Sequence, residues 1–347
     1  TLIAASVVYV ALMFLLAHAA DRAAVAGRWR WMDRPVIYTL SLSVYCSAWT
    51  FYGAVGYATR SGLEFLTIYL GPGIVFAGAW WGLRRLVRVA QMHRITSIAD
   101  LISSRFGKSA GLAALVTLMG VMASTPYIAL QLQSVAMALS AFASEGHSLP
   151  RDVTAWVALG LAAFAILFGT RNLAADERHH GVVIAIAVEA VVKLAAFVAV
   201  GSFVLWGLAD GPADVLARID HMAVSAGGEG WHIDPERWFT LILLSGAAVM
   251  VLPRMFHVLV VEAGDENRLR QAGWAFPAYL AAMSFLVLPI AVVGADMLPK
   301  SANPDLYVLA LPLSQGREAL AAFVFLGGFS SAMSMVVVSA IALSTMM

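Results

Sequence analysis

Long apolar stretches separated by short polar segments run through almost the whole chain. Most are long enough for an α-helix to cross a hydrocarbon core of ~30 Å, which takes about 20 residues. The pattern therefore predicts an all-α integral membrane domain, residues 1–347, of about nine spanning helices. The predicted spans are 1–20, 36–59, 65–83, 109–144, 153–170, 181–209, 238–253, 271–295 and 319–347.

Composition agrees with this interpretation. Hydrophobic residues make up 61% of the chain and charged residues only 12%, about half the ~25% typical of soluble domains. A net charge of +1 gives no basic field of the kind that attracts nucleic acid, so no nucleic-acid partner is expected. The single cysteine, Cys46, excludes an intrachain disulfide framework. The sequence contains no catalytic motif.

The basic residues indicate the orientation of the spans. Most of the 22 Lys and Arg residues fall in the short segments after the first, third, fifth and seventh spans. Cytoplasmic loops carry this excess of positive charge. The N-terminus is therefore predicted to face outside.

The second span is unusual for a helix in contact with lipid. Residues 41–56 combine four Ser and Thr side chains with Gly53 and Gly56. Unwound backbone at membrane depth is tolerated where it lines a cavity or is buried in protein, and transporters use its carbonyl groups to bind ions. Five spans later, Gly246 and Pro253 interrupt the seventh span. Corresponding interruptions in two halves are typical of an inverted repeat.

The last span carries small and hydroxyl residues on one helical face. Gly327, Ser330, Ser331 and Ser334 occupy adjoining positions there. Hard oxygen ligands of this kind suit a cation such as sodium. Small residues also allow helices to pack closely, with hydroxyls bonded to their own backbone. From this span alone, packing is the favoured interpretation.

Two opposite charges lie inside the sixth span. Glu189 and Lys193 are four residues apart, so their side chains share a helix face in the orientation that favours an ion pair. Intramembrane charges usually face a cavity or each other. A functional pair and a purely structural, mutually neutralising pair both explain them. Similarly, Trp49 and Tyr52 either line a substrate path or anchor the helix at the interface.

Several segments together resemble the sodium/solute symporter family. They are the second span, the Ser97–Gly107 segment, Tyr127 with Gln131, the Pro253–His257 turn and the 327–334 face. The resemblance covers essentially the whole chain. The sequences of residues 45–53 and of the region from Phe168 to Lys193 are most similar to the symporter-like module at the N-terminus of certain bacterial sensor histidine kinases.

The resemblance implies an inverted five-helix-repeat transporter fold (LeuT-like), preceded by one extra helix and truncated after its eighth core helix, so that further helices are expected beyond Met347. It implies a Na+ site between the first and eighth core helices. The implied ligands are the carbonyl groups of Ser43, Cys46 and Gly327 and the hydroxyls of Ser330 and Ser331. Tyr45 stands where proline-type relatives keep an aspartate, a departure that bears on sodium affinity. Tyr45, Trp49, Tyr52 and Gln131 are the expected substrate-path residues.

The same resemblance implies a function. The chain is expected to be a solute-binding or transport module in the bacterial inner membrane, surrounded by the lipid bilayer, that serves as the sensory input domain of a histidine kinase. Its partners would be a small-molecule solute such as an amino acid, cytoplasmic kinase domains of the same polypeptide and a response regulator. The alternative is a stand-alone sodium-coupled symporter. Apart from sodium as coupling ion, no cofactor is expected.

Overall fold

The computed structural model describes residues 2–26, 34–142, 180–225, 233–263 and 266–347, together with Trp231 and a few positions between 155 and 163. The predicted fifth span falls outside the continuous described ranges. Within them the chain is helical and forms no strand. Six described helices are long and apolar enough to cross a membrane, or seven if one bent pair counts as a span. The all-α membrane architecture is thus confirmed.

The second predicted span is broken rather than continuous. Helix α2, Pro35–Ser41, begins with proline at its first turn and continues as a 3-10 turn, Leu42–Tyr45. The backbone of Cys46 is then extended, with φ −77° and ψ 93°. A π-helical turn, Trp49–Gly53, leads into α3, Ala54–Ser61. The interruption therefore lies at Cys46 and Ser47, several residues before the glycines that suggested it.

Gly53 and Gly56 serve close packing instead. A Cβ atom on Gly56 would lie 1.8 Å from the Asp305 carboxylate, and one on Gly53 would lie 2.8 Å from the Trp49 ring.

The chain reverses at Gly62, whose φ of 55° ends α3 in a conformation that favours glycine. The reversal leads through a 3-10 turn into α4, Thr67–Gly78.

The seventh predicted span is also broken. Helices α10, Pro235–Val251, and α11, Pro253–Phe256, meet at Leu252, and the two arms of this span are bent by 56°. Leu252 is extended, with ψ 131°, because the ring of Pro253 disfavours the helical conformation in the preceding residue. The second and seventh predicted spans, which lie five spans apart, are therefore both broken, and the fold is LeuT-like.

The remaining helices surround these two broken spans. The last of them, α15, is the most deeply buried: from Phe329 to Ser339 every residue is buried. This helix, Glu318–Ser344, packs against α7 (Ala110–Ser140), α8 (His180–Phe203) and α11, and α1 (Leu2–Val25) lies along α8. The core of the domain therefore lies where α8 and α15 meet the broken second span. The other bounds are α5 Trp80–Met92, α6 Ile98–Arg105, α9 Pro212–Ser225, α12 Glu266–Phe285, α13 Val287–Met297 and α14 Tyr307–Ser314.

Candidate functional site

Lys193 lies at the break of the second span. Its ammonium group donates to the carbonyl oxygens of Ser43, at 3.2 Å, and of Cys46, at 3.1 Å. The third acceptor is the hydroxyl of Ser334 on α15, at 3.4 Å. The side chain is fully buried. An ammonium group has three donors, and here each has an acceptor.

The local backbone explains why these carbonyls are available. The helix that begins with α2 ends at Tyr45, so its last carbonyl groups lack the N–H donor four residues further along. The Ser43 carbonyl accepts from the backbone N–H of Cys46 at 2.8 Å, and its second lone pair remains for Lys193. The end of a helix also carries partial negative charge, which stabilises a nearby cation. The break thus creates a cation-binding position, and the Lys193 side chain of α8 occupies it.

Glu189 is one turn before Lys193 on α8 and is also buried, with 2% of its surface exposed. The Lys193 ammonium donates to the two carbonyls and to Ser334 rather than to this carboxylate, although the two charges interact electrostatically. Ser334 lies within hydrogen-bonding reach of both side chains. Glu189 and Ser334 also line a pocket of about 10 Å³, close to the volume that one water molecule needs. The predicted pair is therefore organised around Ser334.

The predicted ligands on α15 have partners of their own. Ser330 Oγ lies 2.9 Å from the Tyr9 hydroxyl and donates to the backbone carbonyl of Glu189 at 3.4 Å. Ser331 donates to the carbonyl of Gly327 at 3.1 Å, so two predicted ligands are bonded to each other. Gly327 also allows α8 to approach, because a Cβ atom there would lie 2.5 Å from that of Ala196. These contacts agree with the packing interpretation of this face.

A sodium ion does not fit this arrangement. Two of the five predicted ligands, the carbonyls of Ser43 and Cys46, accept hydrogen bonds from Lys193. An ion bound to the same oxygens would lie within about 4 Å of the ammonium group, where two unit charges repel by about 4 kcal/mol at an effective dielectric constant of 20. The ammonium group and the ion therefore compete for one position.

The predicted substrate-path residues lie around the same break. The hydroxyl of Tyr45 donates to the carbonyl of Ile68 at 2.6 Å, and that of Tyr52 to the carbonyl of Phe325 at 3.5 Å. Trp49 is partly buried, with its ring 6.0 Å from that of Tyr57. These contacts fix the position of the broken span, while a role in a substrate path stays a prediction.

Gln131 and Tyr127 join the break to α7. Gln131 Oε1 accepts a hydrogen bond of 2.8 Å from the backbone N–H of Ala48. The hydroxyl of Tyr127 lies 2.8 Å from that of Ser47. Gln131 therefore satisfies a backbone N–H group that the interruption leaves without a helical partner, and Tyr127 contacts the Ser47 side chain beside it. A role of Gln131 in a substrate path stays a prediction.

Arg254 was missed as a candidate at the sequence level. It follows Pro253 at the second interruption and has only 6% of its surface exposed. Its guanidinium lies 4.5 Å above the ring of Tyr127, and its Nε is buried without a hydrogen-bond partner. In the sequence, Arg254 is one of the basic residues that follow the seventh span, and it contributes only to the predicted orientation. The signal that could have identified it is a charge directly after a proline that interrupts an apolar span.

No model of a known protein family matches the chain, and no curated protein matches it by sequence. Among solved structures, the chain is similar to a Na+-coupled sialic acid symporter in a substrate-bound, outward-open state. The TM-score is 0.72 at 12% sequence identity, over 97% of this chain and 72% of that one. This likeness supports the symporter fold.

Proposed function

We propose that this chain is the solute-binding membrane module of a symporter-type protein. The observation that carries the proposal is the meeting of two interrupted spans in the protein interior. Helix α11 packs against the 3-10 turn that precedes Cys46 and against α15. Transporters of this fold bind substrate where discontinuous helices meet near the middle of the bilayer.

Arg254 suggests the chemical class of the solute. A buried guanidinium is stabilised by pairing with a charge or by hydrogen bonds, and no described carboxylate contacts Arg254. Its Nε without a partner is a donor that a ligand could satisfy. Guanidinium groups bind carboxylates strongly, often through two hydrogen bonds. We therefore propose a small solute with a carboxylate group, such as an amino acid. The solute named for the structural neighbour, sialic acid, is also an acid.

We further propose that the module is the sensory input domain of a histidine kinase in the bacterial inner membrane, with its N-terminus outside. Solute occupancy would then be reported to kinase domains of the same polypeptide and to a response regulator. Two observations support this: the resemblance of residues 45–53 to such modules, and Lys193 at the predicted ion position. If Lys193 occupies this position, no sodium ion binds there, and a sodium gradient cannot drive transport through it. This suits a sensor better than a carrier that concentrates solute.

A stand-alone sodium-coupled symporter is the second candidate. The observation that favours it is the fold, since the similar solved structure is a Na+-coupled symporter. The two candidates differ in what solute binding does: in a sensor it changes the phosphorylation of a partner, and in a carrier it leads to accumulation of solute.

The test is solute binding by the full-length protein in lipid nanodiscs. The probes are the L-amino acids and simple carboxylic acids, each compared with its carboxamide at equal concentration. We expect a carboxylate ligand to bind and its carboxamide to bind at least about 10-fold more weakly, since a hydrogen bond to a charged group contributes about 1.5–3 kcal/mol. Equal binding of both forms would contradict the assignment of a carboxylate solute.

Arg254→Met should abolish this preference, and Arg254→Lys should retain part of it. Arg317→Met, at an exposed position at the start of α15, is the matched control and should bind like the parent. Proteoliposome uptake and solute-dependent autophosphorylation, measured on the same preparation, separate the carrier from the sensor. Uptake without any change in phosphorylation would favour the second candidate.

A further inference from the structure

We infer that Lys193 is the resident cation of this site, so that the position between the broken second span and α15 takes the protein's own ammonium group in place of a sodium ion. This inference does not depend on which solute binds. It concerns only the position to which the carbonyls of Ser43 and Cys46 contribute.

The first step is the set of acceptors. The ammonium of Lys193 contacts two backbone carbonyls from the broken span and one hydroxyl from α15. These are hard oxygen ligands from the same two elements that a bound sodium ion would join. The lysine therefore supplies the link that an ion would supply, and it does so from a third element, α8.

The second step is the balance of charge. Among the described groups, the carboxyl group that acts on Lys193 is that of Glu189, on its own helix. Cys46 lies beside it on the broken span, and Tyr9 and Ser330 lie beside Glu189 on α1 and α15. Whether the shared proton lies on Lys193 or on Glu189, this pair carries no net charge. A sodium ion added to it would leave a net positive charge in a buried site, which is unfavourable.

The third step is the consequence for function. A sodium ion can dissociate from its ligands, whereas a lysine side chain stays attached to α8. The contact between the broken span and α15 should therefore persist without sodium, and solute should bind in its absence. Replacing Lys193 by a small neutral residue should vacate the position and leave Glu189 as an uncompensated anion beside it.

The experiment counts sodium ions bound to the purified full-length protein by equilibrium binding of radioactive ²²Na+, with choline chloride holding the ionic strength constant. Lys193→Ala is expected to bind one more sodium ion per protein than the parent. Lys193→Arg should bind the same number as the parent because it keeps the positive charge. Lys300→Ala, which removes an exposed lysine, is the matched control and should also equal the parent. Equal sodium stoichiometry in the parent and in Lys193→Ala would overturn the inference.

If Lys193→Ala is not recovered as folded protein, a second variant tests the inference. Ser330→Ala combined with Ser331→Ala retains Lys193 and removes two hydroxyls predicted from the family resemblance to bind sodium. Any sodium binding measured for the parent should then be unchanged, because the ion would lie elsewhere. Loss of one bound ion in this double variant would place sodium at the predicted position and overturn the inference.

Discussion

Gln131 Oε1 and the backbone N–H of Ala48 form a hydrogen bond of 2.8 Å between residues 83 positions apart. Gln131 is buried, with 1% of its surface exposed. The bond supplies an acceptor to an N–H group that the break at Cys46 and Ser47 leaves without a helical one. A side chain of α7 therefore holds the interruption open, and the site depends on it.

Gln131→Ala should lower the free energy of unfolding by about 1–3 kcal/mol, because it leaves a buried N–H group without an acceptor. Ser134→Ala is the matched control: it lies on the same helix, is partly exposed, and donates to the carbonyl of Leu130. It should change stability by no more than about 0.5 kcal/mol. Unfolding of the purified variants in mixed micelles measures both. Equal effects of the two changes would show that Gln131 does not support the break.

The close contact of α15 with the broken span gives a second prediction. A Cβ atom on Gly328 would lie 2.0 Å from the Tyr52 hydroxyl oxygen, so Gly328→Ala should destabilise by about 1–3 kcal/mol through overpacking. Gly73→Ala is the control, because a Cβ atom there meets nothing within 4 Å. Within α4 it should be neutral or stabilise by up to about 1 kcal/mol. Thermal unfolding of both variants tests the prediction, and a neutral Gly328→Ala would contradict the packing described.

Glu189 and Lys193 should be energetically coupled. We expect Lys193→Met to be the more harmful single change, because it leaves two carbonyls without a donor and Glu189 without its counter-charge, whereas Glu189→Gln leaves the three contacts of Lys193 in place. A double-mutant cycle on unfolding free energies should give a coupling of about 0.5–3 kcal/mol. Additive effects would mean that the two charges are stabilised by separate partners.

Tyr127 should support Arg254 through its ring rather than its hydroxyl. Tyr127→Phe keeps the ring below the guanidinium and removes the hydroxyl, which lies 2.8 Å from that of Ser47 and also interacts with Arg254. Tyr127→Leu also loses the cation–π interaction, which contributes about 2 kcal/mol when desolvated. Binding of the carboxylate solute should therefore fall several-fold more in Tyr127→Leu than in Tyr127→Phe. Equal losses would assign the effect to the hydroxyl instead.

Much of the fold could be predicted from the sequence, since apolar length and the position of Pro253 are local signals. The bend at Leu252 follows directly from the proline ring. Gly53 and Gly56 alone indicate a break too far along the chain, whereas the family resemblance implies unwound backbone at Tyr45, close to the break at Cys46. The hydrogen bond to Gln131, a partner 83 positions away, is indicated by no local pattern.

The site shows the same limit. The sequence identified Lys193 and Glu189 as unusual charges and the carbonyls of Ser43 and Cys46 as candidate ion ligands, but treated them as two separate features. Only the packing of α8 against the broken span brings the Lys193 nitrogen within 3.2 Å of both carbonyl oxygens. The sequence shows the charge of Arg254 but not its burial, so the pattern predicts this residue at the polar end of a span.

The central claim is that Lys193, and not a sodium ion, binds the carbonyls at the break. The most direct measurement is a pair of high-resolution structures of the full-length protein, one determined in NaCl and one in choline chloride. The account predicts that the Lys193 nitrogen lies within hydrogen-bonding distance of both the Ser43 and Cys46 carbonyl oxygens in both salts. A Lys193 side chain turned away in NaCl, with an ion bound to those two oxygens, would contradict it.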